Sequence, residues 1–291
     1  MRDSMKNTQE HAMRLKLMEF ALKNENIKAM IETGERNNPN FEKDEILDYN
    51  IIYAVEDLTE FRNSREIDEY FDSLLILKNK GGITFFKKLY QDTIQHIVVL
   101  DDITKLNLTF ILYRDAQEYL DKDSLAKVLL DKEDLLQGQG KLSEVNYRIQ
   151  KPTEEEFLDC CNHFFVIVLN IAKGLYYGKV LYAINIYLEA KKYLDEMTAY
   201  YIGSNHNFGV SVGQNYENFQ TYLPQDHYEK YLEIYPTPDR DILWKNLFNL
   251  CMLFRKEGLV VAEKLNYSYP KLADRDIIQK IREVWGKYTK M

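Results

Sequence analysis

The chain has 291 residues, 45% hydrophobic and 29% charged, with a net charge of −8. That balance belongs to a packed globular protein and excludes a disordered one. The acidic surface also argues against nucleic acid, whose binding calls for a basic patch. The first twenty residues lack the apolar stretch of about 7–15 residues that a secretory signal carries. No apolar run reaches the ~18 residues of a membrane span. The expectation is therefore a cytoplasmic protein with no membrane partner. Three cysteines, two of them adjacent (Cys160, Cys161), offer neither a disulfide framework nor a CxxC metal site, and are expected reduced and buried.

Apolar residues at helical spacing, Ala12, Leu15, Met18, Phe20 and Leu22, predict a helix over residues 8–23. Residues 27–33 are short and apolar and stop at Gly34, which predicts a strand entering a turn. Residues 37–43 are polar around Pro39 and read as loop. Over 46–55 the sequence alternates. Leu47, Tyr49, Ile51, Tyr53 and Val55 share one face, and Asp48, Asn50, Ile52 and Ala54 the other. Two polar neighbours on one face of a buried strand require an explanation. Further strands are predicted at 74–77, 93–100 and 106–113. The last two form a hairpin across Asp101-Asp102-Ile103-Thr104, and Asn107 and Thr109 occupy alternate positions in the second.

From residue 151 the character changes. Pro152-Thr153-Glu154-Glu155-Glu156 combines a capping hydroxyl with an acidic first turn, the start of a helix. Helical patterns follow at 154–175, 179–202, 225–234, 239–265 and 274–288. Strands mixed with helices, then helices alone, predict an α+β domain over 1–150 and an α-helical domain over 151–291. The five histidines show no metal-binding spacing. The tyrosines at 182–201 and 216–235 suit core and rim better than a ligand cage, although a tyrosine-lined cleft would stack on a sugar or guanidinium group.

A strand ending in Gly34-Glu35-Arg36, then a strand carrying Asp48-Tyr49-Asn50, then Asn107 on a neighbouring strand, outlines a polymerase-β-like nucleotidyltransferase site. A glycine turn lets backbone N–H groups approach a phosphate. Carboxylates two apart on one strand, with a third beside them, hold Mg²⁺ against a triphosphate. A base then deprotonates the acceptor hydroxyl.

The wider text makes the outline specific. Residues 124–132, Pro152 to Phe157, Asp159-Cys160-Cys161-Asn162, Ala172-Lys173-Gly174-Leu175, Tyr182-Ala183 and Tyr201-Ile202-Gly203 all resemble the aminoglycoside (streptomycin) 6-adenylyltransferases. So do Val210-Ser211-Val212-Gly213, Asn266-Tyr267 and Tyr269-Pro270. The similarity runs in order over nearly the whole chain. It implies a mixed-sheet nucleotidyltransferase domain that holds ATP and Mg²⁺, and a helical domain that contacts the acceptor. It also implies transfer of AMP from ATP to the 6-hydroxyl of streptomycin. By the same resemblance, Gly34, Glu35, Arg36 and Asp48 fall at the nucleotide. Asp48, Asn50 and Asn107 fall at the metal, and Asn185 at the catalytic base. Lys173 reads either as a phosphate contact or as an ordinary solvated helix end.

Four of these positions depart from the family pattern. Asn50, Asn107 and Asn185 stand where it has acidic residues, and Glu35 where it has serine. An amide offers a metal a carbonyl but no charge. One unit charge beside a cation at ~4 Å is worth up to about 4 kcal/mol at an effective dielectric near 20. An amide also cannot serve as a general base, a role worth about 10²–10⁴ in rate. The expectation is an adenylyltransferase relative impaired in transfer that retains a small-molecule ligand, an aminoglycoside or a nucleotide. Two alternatives stand beside it: an active enzyme with a metal site rebuilt from Glu35 and Asp48, and a scaffold reused for protein interaction.

Overall fold

The computed structural model describes residues 2–40, 48–63, 65–78, 92–102, 104–137 and 140–290. The chain divides into two compact units, Met1–Asn146 and Tyr147–Met291.

In the first unit, helix α1 (Arg2–Lys23) precedes strands β1 (Ile27–Thr33) and β2 (Tyr49–Val55). Helix α2 (Arg65–Phe71), strands β3 (Leu75–Lys78), β4 (Ile94–Val99) and β5 (Lys105–Leu112), helix α3 (Ala116–Lys122) and strand β6 (Lys127–Asp131) follow. The six strands form one sheet in the order β3-β4-β5-β2-β1-β6. β2 and β5 run parallel and the other neighbours antiparallel, so the sheet is mixed.

The alternation expected in β2 is the alternation found. Tyr49, Ile51, Tyr53 and Val55 bury in one cluster with Leu17 and Phe20 of α1 and Phe71 of α2. Ile52 and Ala54 bury on the opposite face with Ala29, Ile31 and residues of α3. Each face of the sheet is thus covered, and the polar ends of the strands remain for other work. Leu47 lies outside the described residues.

Helix α1 differs in its buried stripe. Leu17, Phe20 and Ala21 are buried with Met13 packed beside them, whereas Leu15 and Leu22 are exposed. Positions 13, 17, 20 and 21 fall on one side of a 3.6-residue repeat, and 15 and 22 on the other. The hairpin of β4 and β5 forms as expected.

The second unit is helical among its described residues: α4 (Glu154–Tyr176), α5 (Val180–Asn205), α6 (Phe219–Tyr222), α7 (Gln225–Glu233), α8 (Arg240–Leu265) and α9 (Lys271–Tyr288). Helix α4 starts with a full capping box. The Glu156 N–H donates to Thr153 Oγ1 at 3.2 Å, and the Thr153 N–H donates to Glu156 Oε2 at 2.8 Å. α4 is long and apolar enough to cross a membrane. Its apolar side, including Phe157, Phe164, Phe165, Val168 and Leu175, is buried in the core of this unit. Phe164 stacks on Phe254 of α8 with ring centroids 3.8 Å apart. All three cysteines are unpaired and buried.

Buried charges in this core are partnered. His227 Nε2 lies 2.6 Å from Glu257 Oε1, and Thr198 Oγ1 donates to Glu257 Oε2 at 2.8 Å. Burial pushes the Glu257 carboxyl up, and His227 and Thr198 pull it back. Arg255 forks onto Asp274, and Lys191 Nζ meets Asp195 at 2.7 Å. The α+β architecture expected from the sequence is the one present.

Candidate active site

The residues singled out around the sheet assemble at one end of three adjacent strands. Thr33 of β1 pairs with Asn50 of β2, and Asn50 pairs in register with Asn107 of β5. Their side chains share the sheet face that carries Ile52 and Ala54, because residues two apart on a strand point the same way. The Asn107 side-chain amide donates to Asn50 Oδ1 at 2.9 Å. The two amides satisfy each other.

Gly34 follows β1 with φ 83° and ψ −158°, a conformation open to glycine and costly for other residues. A Cβ placed there would lie 3.1 Å from Asn50 Nδ2. The backbone at Gly34 therefore packs directly against the amide pair. A tight turn over Glu35–Asn37 follows, closed by the Asn37 N–H donating to the Gly34 carbonyl at 2.9 Å. The buried Asn37 side chain locks this turn by donating to the carbonyls of Glu32 at 2.9 Å and Leu125 at 3.0 Å.

Arg36 turns inward. Its guanidinium lies 3.7 Å above the Tyr49 ring, its Nε donates to the Asp48 carbonyl at 3.1 Å, and Glu10 is 3.7 Å away. Burial raises the Tyr49 phenol above its ordinary range, and the Arg36 charge opposes that shift. The Asp48 carboxylate is paired with Lys105 Nζ at 2.8 Å. Glu35 is half-buried in the turn.

Three supporting residues were not singled out in the sequence. Asp123 is buried and accepts hydrogen bonds from the Thr33 and Tyr119 hydroxyls and, at 3.0 Å, from the Leu125 N–H. It anchors the strand end from which Gly34 departs. Lys105 sits two residues before Asn107, just ahead of the strand predicted over 106–113, and a cation beside a metal-site pattern was the available signal. Arg14 forks onto the buried Glu32 at 2.9 and 2.8 Å, and only its helical approach to β1 brings it there.

The donor set can be tested against the two divalent ions that a nucleotidyltransferase site of this outline holds. Asn50 and Asn107 are neutral and engaged with each other, and Asp48 is neutralised by Lys105. Among the described residues no three His, Cys, Asp or Glu side chains gather where they could hold a metal ion. The amide pair and the Lys105-paired Asp48 do not fit the ions.

A sequence model of the streptomycin adenylyltransferase family matches residues 5–284. The chain belongs to that family. An aminoglycoside 6-adenylyltransferase of Bacillus subtilis (strain 168) is 32% identical over 255 residues, 87% of this chain and 90% of that protein. A Staphylococcus aureus protein of the same name is 30% identical over 254 residues, again 87% and 90%. A crystal structure of an aminoglycoside 6-adenyltransferase from Bacillus subtilis is 29% identical, covering 93% of this chain and 96% of that one, with a TM-score of 0.48.

Two further candidate positions of this family member lie in the second unit. Lys173 is exposed in the last turn of α4, directly before the buried Gly174. A Cβ at Gly174 would come within 2.8 Å of the Tyr182 ring, so the glycine permits α4 and α5 to approach closely there. Asn185 is exposed on α5.

Proposed function

We propose that this chain is an aminoglycoside 6-adenylyltransferase-like protein strongly impaired in the family reaction, transfer of AMP from Mg-ATP to the 6-hydroxyl of streptomycin. It retains a site for a small-molecule ligand, an aminoglycoside or a nucleotide, in the cytoplasm where ATP is available. The observation that carries this reading is the Asn107–Asn50 amide pair at 2.9 Å, at the two strand positions where the family pattern has carboxylates. A neutral pair contributes no charge against Mg²⁺ or a triphosphate. Asn185, at the expected base, cannot accept the acceptor hydroxyl's proton. The glycine turn and the strand scaffold that would present a nucleotide remain in place, which supports binding without turnover.

The test is incubation of the purified protein with Mg-ATP and streptomycin, with adenylylated drug read by mass spectrometry. The triple variant Asn50→Asp/Asn107→Asp/Asn185→Asp runs beside it. The expected result is little or no product from the natural chain and at least about 10²-fold more from the triple variant. Calorimetry on the natural chain should show binding of streptomycin or ATP. Product from the natural chain that disappears on Asp48→Ala would overturn the reading in favour of a rebuilt metal site. Binding of neither ligand would overturn it in favour of a reused scaffold.

A further inference from the structure

We propose that the hollow between α8 and α9 is a binding site for a small aromatic anion. The cavity, about 780 Å³, lies wholly within the second unit and is lined by residues of these two helices. That volume falls in the range of small-molecule sites, about 300–1,000 Å³. Its aromatic lining is continuous. Trp244 stacks on Phe248 and Tyr288 at 6.4 and 5.8 Å, and Phe248 meets the edge of Trp285 at 5.7 Å. The chain has two tryptophans, and both line this hollow.

Two observations name the chemistry of the occupant. The first is an unsatisfied donor. Trp244 is 1% exposed, and its indole N–H has no hydrogen-bond partner among the described residues. A buried donor left unpaired is costly, and this one belongs to a ring that lines the hollow. The second is charge. Lys245 and Arg282 also line the hollow, are exposed, and have no ion-pair or hydrogen-bond partner among the described residues. The other charges there are Arg255, paired with Asp274, and Asp241, whose carboxylate accepts a hydrogen bond from the Tyr288 hydroxyl at 2.6 Å and keeps its charge. Lys245 and Arg282 against the single carboxylate of Asp241 leave the lining net positive, in a chain whose net charge is −8. Flat rings on the walls, two cations at the edge and a buried donor suit an aromatic carboxylate, sulfonate or phosphate.

The tryptophans make the site report on itself. The probe is 8-anilinonaphthalene-1-sulfonate, followed by energy transfer from tryptophan to bound dye in the natural chain. The comparison dye is N-phenyl-1-naphthylamine, which has the same rings without the sulfonate. The expected result is saturable one-to-one binding of the sulfonate with efficient transfer. The variant Lys245→Gln/Arg282→Gln should weaken the sulfonate about fivefold or more and leave the neutral dye unchanged. Both substitutions are at exposed positions, and circular dichroism would establish that the fold is kept. Trp285→Ala, also at an exposed position, should weaken both dyes. Unchanged sulfonate affinity in the double variant, or equal affinity for the two dyes, would overturn the proposal. So would dye binding that falls as protein concentration and molecular mass rise together, because a second copy would then be the occupant.

Discussion

The strand-end site of the first unit and the helical core of the second treat charge in opposite ways. In the core, Glu257 is fully buried yet remains a carboxylate position held by His227 and Thr198, and Asp274 is held by Arg255. At the strand ends, where a nucleotidyltransferase needs accessible negative charge, the side chains are amides that pair with each other. The contrast separates two demands on the same chain. Burying a charge for architecture requires only a partner within the protein. Presenting a charge to a metal requires that no cation of the protein already neutralise it, and of the three strand-end positions Asp48, Asn50 and Asn107 only Asp48 is a carboxylate, with Lys105 already at 2.8 Å. Architecture and site chemistry can therefore diverge without the fold being lost.

The comparison can be broken most forcefully in the core. His227→Ala leaves Glu257 buried without its principal partner, and the expected loss is about 3–5 kcal/mol in a urea titration. A loss under 1 kcal/mol would mean that the core charge is no more structural than the amides. Gly34→Ala is expected to cost about 1–2 kcal/mol, because it combines a positive φ with a Cβ 3.1 Å from Asn50 Nδ2. A stabilised variant would reject the close packing of that turn against the amide pair. A third test sharpens the contrast at the site. Asn50→Asp/Asn107→Asp places carboxylates beside Asp48, and their repulsion should lower stability by about 1 kcal/mol in a metal-free buffer. Millimolar Mg²⁺ should reverse that loss in the variant and leave the natural chain's melting temperature unmoved. A magnesium shift of equal size in both proteins would show that the amides are not what excludes the metal.

The smallest effect concerns the α4 capping box. Hydrogen bonds from the Thr153 backbone and side chain hold the Glu156 carboxyl below the usual glutamate range. A carboxyl lowered on folding stabilises the protein above its unfolded value and loses that contribution as pH falls through the folded one. Glu156→Gln should therefore melt below the natural chain at neutral pH, and the gap should close once the pH drops well under 4. A gap that widens in acid would contradict the assignment.

What was legible in the sequence follows the range of the interactions involved. The faces of β2 were readable because alternation is local, and so was the start of α4, whose box spans Thr153 to Glu156. The family resemblance made Asn50 and Asn107 neighbours before any register was known. Arg36 was less accessible to reading. A turn arginine suggests a free cation, yet its guanidinium lies on Tyr49, thirteen residues away, and that placement depends on how the turn closes. Helix α3 and strand β6 were not predicted as elements, since seven and five residues give too little periodicity to count. Asp123 draws its meaning from Thr33, ninety residues earlier, and no local pattern reports such a pairing.

The three buried cysteines have a practical consequence. Thiols react as thiolates, and burial pushes Cys160, Cys161 and Cys251 all upward, Cys161 to about 12. At neutral pH, maleimide reagents should pass them over in the folded protein. A cysteine introduced at an exposed position, such as Leu181 on α5 or Leu135 after β6, would become the fast-reacting thiol without removal of the native three. One such handle in each unit would let a donor and acceptor dye measure their separation in solution, with and without ATP.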